Sequence, residues 1–318
     1  MPQTNMRHSE AVLEAISSPS QAGISAVAAS WCRSALNHGL DPEACGRRER
    51  LSEAALLSLR AEHEDMLAVA TPVLDHMFRS VGRSGCAVIL SDASGVILER
   101  RAGDADRDGF SAAGLVEGMR WGEAVEGTNG IGTCLFEDKP VVIHRDQHFA
   151  SRNVGISCMD APVHDPFGRL AGALDVSSCR DDHGPAMAEM VAALVRDAAR
   201  KIERDYFCRH FADRRIIFLC DDAVTGSALL AVDRDDLVVG ASRAARLQLG
   251  LNDAALATPR ALTQVLGEDA QPSFDDADRT VLRQALARAG GNASRAARLL
   301  GIGRATLYRR MARAGLAG

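Results

Sequence analysis

The chain reads as an α+β protein that ends in a small all-α domain, and three observations lead there. Short apolar runs separated by hairpin-style turns fill its middle. Helical periodicity brackets them on both sides. The last 44 residues break into three short helices divided by glycines.

Residues 1–67 are expected to form an N-terminal helical region, with Val12, Ile16, Val27, Trp31 and Leu36 as apolar positions and an interruption at Gly39 and Pro42. Helix resumes over Ser52 to Ser80, and "VGRSGC" ends it. From Cys86 the texture changes. "CAVILSD" and "GVILER" are strand-like runs around the turn "DASG"; "PVVIHR", "MDAPVHD" and "RLAGALDVSS" continue in that style, with "DPFG" as another turn. These runs predict an antiparallel sheet flanked by helices, in a domain spanning 68–183. One long connector helix follows over 184–212. Its Met187, Val191, Leu194, Ala198, Ile202 and Tyr206 are spaced by threes and fours as a single stripe. That stripe fits pairing with a second copy, and equally packing on the chain's own sheet. A shorter strand–turn–strand–helix, "ALLAVDRDDLVVGASRAARLQLGL", lies within 213–266, and 267–274 reads as a linker.

Composition excludes several classes. No apolar run approaches the roughly 18–20 residues of a membrane span, and the N-terminus lacks a basic start followed by an apolar core. The expected location is therefore cytoplasmic, with no membrane partner. Eight scattered cysteines without a CxxC pair point to reduced thiols, not to a disulfide framework or zinc module. The net charge of −5 hides an asymmetry: residues 275–318 hold nine arginines against three aspartates, a balance of +6 that leaves −11 elsewhere. No acid follows Gly290. A basic end on an acidic body suggests one anionic partner at that end.

The terminal segment carries the most specific signal. Asp275 to Ala289 makes a helix whose core face is Val281, Leu282, Ala285, Leu286 and Ala289. "GGN" stops it, and Asn292 caps a second helix reaching Leu300. "GIG" turns the chain, with Ile302 inward, into a third helix over about Arg304 to Ala314. Its inward face is Ala305, Leu307 and Met311. Two short helices joined by a glycine turn form a helix-turn-helix, whose second helix reads double-stranded DNA with its N-terminal half. Arg304, Thr306, Arg309 and Arg310 are then the expected DNA contacts, with Arg295 on the preceding helix joining them. The run "GNASRAARLLGIGRATLYRRM" closely resembles the Fis-type helix-turn-helix. The resemblance implies base contact by Arg304, backbone contact by Arg309 and Arg310, and a homodimer on a near-palindromic site. Gly303 stands where that family often has Asn or Ser.

The stretch "WGEAVEGTNGIGTCL" holds four glycines in fifteen residues. It is no phosphate cradle. A P-loop needs a lysine after its last glycine, and the chain's two lysines, Lys139 and Lys201, follow none; the G-x-G-x-x-G order is absent too. The stretch resembles instead the GAF sensor domain of acetoin-catabolism-type regulators, with Trp121, Glu123, Gly127, Thr128, Asn129, Ile131, Gly132 and Thr133 carrying the match. Similarity extends through "SWCRSALNHGLDP" and "HFASRNVGISCMDAPVHDPFGRLAGALDVSS", and the later strand–turn–strand–helix looks like the PAS-like remnant of such regulators. The resemblance implies a small-molecule effector in a pocket bordered by Trp121, Glu123, Thr128, Asn129, Thr133 and His148. The glycines would let the backbone pass close to that ligand, while Gly127 and Gly132 also fit turns, and Thr128 and Asn129 also fit helix caps.

His144, His148 and Cys158 do not make a metal site, because His144 reads as strand and i,i+4 pairing needs a helix. Cys158 reads as a buried structural thiol ahead of a redox sensor. No catalytic arrangement is argued from spacing, and no cofactor is expected. The resembling regulators carry a central ATPase module that activates the alternative sigma factor, and only about 60 residues separate the connector helix from Asp275 here. The expected protein is thus a dimeric, ligand-controlled DNA-binding regulator that does not hydrolyse ATP. It would act by occupying DNA, or through RNA polymerase or a full-length ATPase-containing relative. An architectural nucleoid protein with a vestigial sensor is the alternative, and a metabolic enzyme with a basic tail a more remote one.

Overall fold

The computed structural model describes residues 2–17, 25–44, 48–181, 184–222, 225–267 and 274–316. The chain divides into two compact units, Met1–Arg260 and Ala261–Gly318.

The larger unit is built on five antiparallel strands: β1 (Cys86–Asp92), β2 (Ile97–Arg101), β3 (Val141–His144), β4 (Ser157–His164) and β5 (Leu170–Ser178), in the order β2-β1-β5-β4-β3. Strand periodicity splits their side chains between two cores. On one face Val88, Leu90, Met159, Val163, Leu174 and Val176 pack under helices Glu64–Val81 and Pro185–His210. On the other, Ala87, Ile89, Cys158 and Ala173 meet Phe110, Leu115, Trp121, Ile131 and Cys134 from the segments between β2 and β3. Both faces are covered, so β1, β4 and β5 are buried along nearly their whole length instead of alternating between buried and exposed positions.

Several expectations need correction. Leu36 is exposed rather than packed, because residues 33–37 form a π-helical turn that rotates it outward. The helix read across Ser52 to Ser80 is two, Glu53–Glu62 and Glu64–Val81, interrupted at His63. The connector-helix stripe divides between two faces. Ala188, Val191, Ala192, Val195, Ala199 and Ile202 are buried against the sheet, while Met187, Met190 and Leu194 face solvent. The stripe advances mostly by fours, and each such step turns about 40° further round a helix of 3.6 residues per turn, so one row of spacings crosses from one face to another.

Beyond the connector helix lie β6 (Arg215–Asp222), β7 (Gly226–Val232) and β8 (Leu237–Ala241), antiparallel neighbours in that order, with helix Arg243–Leu249 packed on them. Sequence reasoning named β7, β8 and the helix but not β6, whose side chains are all at least partly exposed.

The smaller unit holds helices Phe274–Arg288, Ala293–Leu299 and Arg304–Arg313 around Leu282, Ala285, Ala289, Ala296, Ala297 and Leu307, with Ile302 and Met311 at the margin. Val281 is 48% exposed and Ala305 also faces outward, so neither belongs to the core face assigned above. Val281 directly precedes the buried Leu282, one position off the stripe. Most of the expected linker, 268–273, lies outside the described residues.

Candidate functional site

The motif stretch folds as helix Glu123–Glu126, a turn at Gly127, and helix Gly130–Glu137. Asn129 caps the second helix: its Oδ1 accepts the Gly132 N–H at 2.9 Å, and its Nδ2 donates to the Gly127 carbonyl at 2.8 Å. The Glu123 carboxylate is buried and fully engaged. Ser30 Oγ donates to it at 2.9 Å, Thr133 Oγ1 at 3.1 Å, and Arg33 through Nε at 2.8 Å and Nη2 at 3.2 Å. A hydroxyl has one proton, so with Ser30 donating to Glu123, the 2.7 Å bond between Ser30 and Thr128 must run from Thr128. Glu126 is held likewise by Arg48 at 3.2 Å, Arg152 at 2.8 Å and Asn153 at 3.2 Å.

Of the expected ligand residues, Glu123, Thr128 and Thr133 are therefore gathered into one network with Ser30, and Asn129 adjoins it. Trp121 lies in the apolar core, its Nε1 donating to the Gly114 carbonyl at 2.9 Å. His148 is also apart from the network. It is completely buried, with Nδ1 2.9 Å from the Arg145 carbonyl and Nε2 3.4 Å from Cys158 Sγ, and burial pushes its pKa down to about 4. Sequence reasoning did not single out Ser30, Arg33, Arg48 or Glu126. Ser30 and Arg33 stand in "SWCRSALNHGLDP", so the signal that could have found them was on the page.

The glycines meet protein atoms. A Cβ at Gly127 would fall 2.5 Å from the Phe149 ring, at Gly132 2.4 Å from the Glu123 nitrogen, and at Gly130 2.1 Å from Asp160 Oδ2. Gly127 also has φ +66°, a conformation side chains rarely adopt.

Under helix Gly130–Glu137 the sheet presents an unforeseen acid pair. Asp160 on β4 and Asp175 on β5 are cross-strand partners, both buried. Ser177 Oγ donates to Asp175 at 2.8 Å, but with both acids ionised neither oxygen of Asp160 has a donor. Burial, then the Asp175 charge, push Asp160 far above the usual carboxylate range, and burial lifts Asp175 to about 7. The pair thus retains a proton at neutral pH. The signal in the sequence was an Asp at the centre of each apolar run, "CMDAPV" and "ALDVS". Burial also raises the neighbouring Cys134 and Cys158 thiols well above their ordinary range, which leaves them weak nucleophiles. Among the described residues no group of three His, Cys, Asp or Glu side chains is arranged to hold a metal.

At the other end, the glycines shape turns. Gly290, Gly291 and Gly301 have φ of 60°, 79° and 65°, and the Ile302 N–H bonds the Ala297 carbonyl at 3.0 Å. Asn292 Oδ1 accepts the Arg295 N–H at 3.0 Å as cap of the middle helix. Arg304 opens the last helix, exposed, with its guanidinium 5.6 Å from the Tyr308 ring centre. Arg295 and Arg309 are exposed, and Thr306 is half-buried. Arg310 instead donates to Asp278 at 3.0 Å, which ties it to the first helix of the unit.

Comparison with known sequences gives each region a family. Residues 65–202 match the GAF domain, and residues 273–313 match the bacterial regulatory protein, Fis family. The acetoin catabolism regulatory protein of Cupriavidus necator is 30% identical over 227 residues, covering 69% of this chain and 34% of that protein. The acetoin dehydrogenase operon transcriptional activator AcoR of Bacillus subtilis is 30% identical over 157 residues, 48% of this chain and 25% of that one. The propane 2-monooxygenase operon transcriptional activator MimR of Mycolicibacterium smegmatis is 29% identical over 140 residues, 43% and 23%. The chain thus spans about a third or less of these relatives. A chain of the E. coli DhaR(N)-DhaL complex shares the fold, with a TM-score of 0.51, 20% identity, and coverage of 75% of this chain and 80% of that one. A central ATPase module is not evident between the two matched regions, and neither matched domain is enzymatic. The chain carries a GAF domain followed by a Fis-family helix-turn-helix, and its homologues are transcriptional regulators of the acetoin-catabolism type.

Proposed function

We propose that this chain is a sequence-specific, dimeric DNA-binding regulator under the control of a small-molecule effector, acting at the nucleoid in the cytoplasm and without ATP hydrolysis. The observation that carries the reading is the exposure of Arg304 and Arg309 on the last helix of a unit with no acid after Gly290. A helix presented in this way can enter the major groove, with arginine bidentate to guanine or bound to phosphate. Effector control is supported by the GAF-domain match over residues 65–202 and by the likeness to regulators named for acetoin catabolism. The expected ligand residues fall in two groups: Glu123, Thr128, Asn129 and Thr133 stand together beside Ser30 as the proposed effector-responsive cluster, while Trp121 and His148 lie apart from it. Dimer formation is supported by Met187, Met190 and Leu194, an apolar row on the outer side of the connector helix. The chain would then act by occupying DNA, or through RNA polymerase or an ATPase-containing relative.

The test is recovery of host genomic fragments by the purified protein at about 150 mM salt. A few fragments sharing a near-palindrome are expected. Arg304→Ala should weaken binding to that site by about 1–3 kcal/mol while leaving the fold intact. Broad recovery without a shared motif would favour an architectural protein with a vestigial sensor. Unchanged affinity of the Arg304 variant would overturn the assigned recognition helix.

A further inference from the structure

A cavity of about 240 Å³ opens where the end of β4 meets the corner after helix Gly130–Glu137 and the connector helix. It lies outside the motif network. Its floor is Ala161, Pro162 and Ala199, side chains too short to fill it. Its rim is cationic: Lys139 from the corner, Arg196 and Arg200 one turn apart on the connector helix, and Arg243 from the helix after β8. The two acids in the lining are already engaged. Asp138 meets His164 Nε2 at 2.7 Å and Arg243 at 2.8 Å, and Glu203 meets His164 Nδ1 at 2.5 Å and accepts its backbone N–H at 2.9 Å. Among the described residues Lys139 and Arg196 form no ion pair.

Like charges at i,i+4 repel along a helix, and here two guanidiniums so spaced share one cavity with a lysine ammonium. An anion in the cavity would reverse the sign of that interaction. Guanidinium groups bind carboxylate and phosphate alike through paired N–H donors, and the short apolar floor leaves room for a small organic body.

We propose that this cavity binds a small oxyanion, carboxylate or phosphate, held by Lys139 and Arg196 with Arg200 beside them. The bound anion bridges the corner of the sensor to the connector helix. It would thus be a second chemical input to that helix, distinct from an effector under the motif.

The experiment is calorimetric titration of the full chain, without DNA, with inorganic phosphate and separately with succinate, at low and matched ionic strength. Saturable binding of one anion per chain is expected for at least one probe, and the stronger probe identifies the source. Each charged donor lost weakens an anion site by roughly tenfold or more, so Lys139→Gln with Arg196→Gln should weaken binding by about a hundredfold or more. Neither replaced side chain holds an ion pair among the described residues, so the anion-free double variant should melt as the wild type does. It should also bind DNA as before, which separates this test from that of the regulator reading. Arg196→Lys, which keeps charge but loses the fork, should retain part of the affinity. Absence of saturation by both probes up to about 10 mM, or equal affinity in the double variant, would overturn the site.

Discussion

The sensor and the helix-turn-helix both lean on glycine, and for opposite reasons. In the sensor, Gly130 and Gly132 sit in a helix with ordinary backbone angles, and what forbids a side chain there is space: atoms of Asp160, Cys158 and Glu123 occupy the volume a Cβ would take. In the terminal unit, Gly290, Gly291 and Gly301 have nothing within 4 Å of such a Cβ, and what favours glycine is a left-handed backbone. The first kind encodes tertiary contact and the second a local turn. The difference separates what a mutation should do in each place.

The largest effect should come from Gly132→Ala. The added carbon would meet backbone atoms, the Glu123 nitrogen at 2.4 Å and the Trp121 oxygen at 2.7 Å, which no rotamer change can move. Overpacking costs about 1–3 kcal/mol, and a clash with backbone belongs at the top of that range, against the roughly 1 kcal/mol that Ala gains over Gly in a helix. Denaturant unfolding should show the sensor strongly destabilised. A loss below about 1 kcal/mol would mean that the motif loop yields, and the contrast with the terminal glycines would fail.

The legible and illegible parts of the molecule divide along the same line. "DASG", "DPFG", "GGN" and "GIG" are local signals, and five strands and three terminal helices follow from them and from periodicity. The resemblance of "GTNGIGT" located the sensor domain. It did not disclose that Ser30 and Arg33 would close on Glu123, 93 and 90 positions away. Nor could it pair Asp160 with Asp175, because that depends on the register of two strands, and a one-residue slip of either would put the two on opposite faces of the sheet. The connector helix was legible as a helix, but its buried face was not, since Val191 and Leu194 look alike until a sheet lies under one of them. The edge strand β6 went unnamed although "IIFLC" is an apolar run, and in the fold none of its side chains is fully buried.

A middle-sized effect sharpens the tertiary half of the comparison. Asp160 and Asp175 have folded-state pKa values above those of the unfolded chain, so the folded protein keeps protons that the unfolded one has released. Stability is then greatest below about pH 4 and is lost as pH rises through about 7, by about 1.4 kcal/mol per pH unit for each retained proton. His148 acts in the other direction: its lowered value makes it a stabilising neutral group above about pH 6.5, with that contribution lost toward pH 4. Between pH 6.5 and 7.5 the acid pair should dominate. Asp160→Asn removes one acid and offers Asp175 an amide donor, so the decline in unfolding free energy across that window should flatten. An unchanged slope would place the titration elsewhere in the chain.

The smallest effect belongs to the turn glycines. Gly301→Ala adds a carbon into open space, so no packing is disturbed, and the Ile302 N–H can keep its 3.0 Å bond to the Ala297 carbonyl. Only the φ of +65° opposes it, because a left-handed residue with a Cβ costs about 1–2 kcal/mol. Part of that is returned, since alanine reduces the freedom of the unfolded chain. The net loss should be near 1 kcal/mol, confined to unfolding of the terminal unit, with the affinity for the specific DNA site unchanged once that unit is folded. Asparagine tolerates the left-handed region better than alanine, so Gly301→Asn should lose less than Gly301→Ala. If the two variants were equally harmed, sterics around the turn and not its backbone angle would be the cause, and the two classes of glycine would be one.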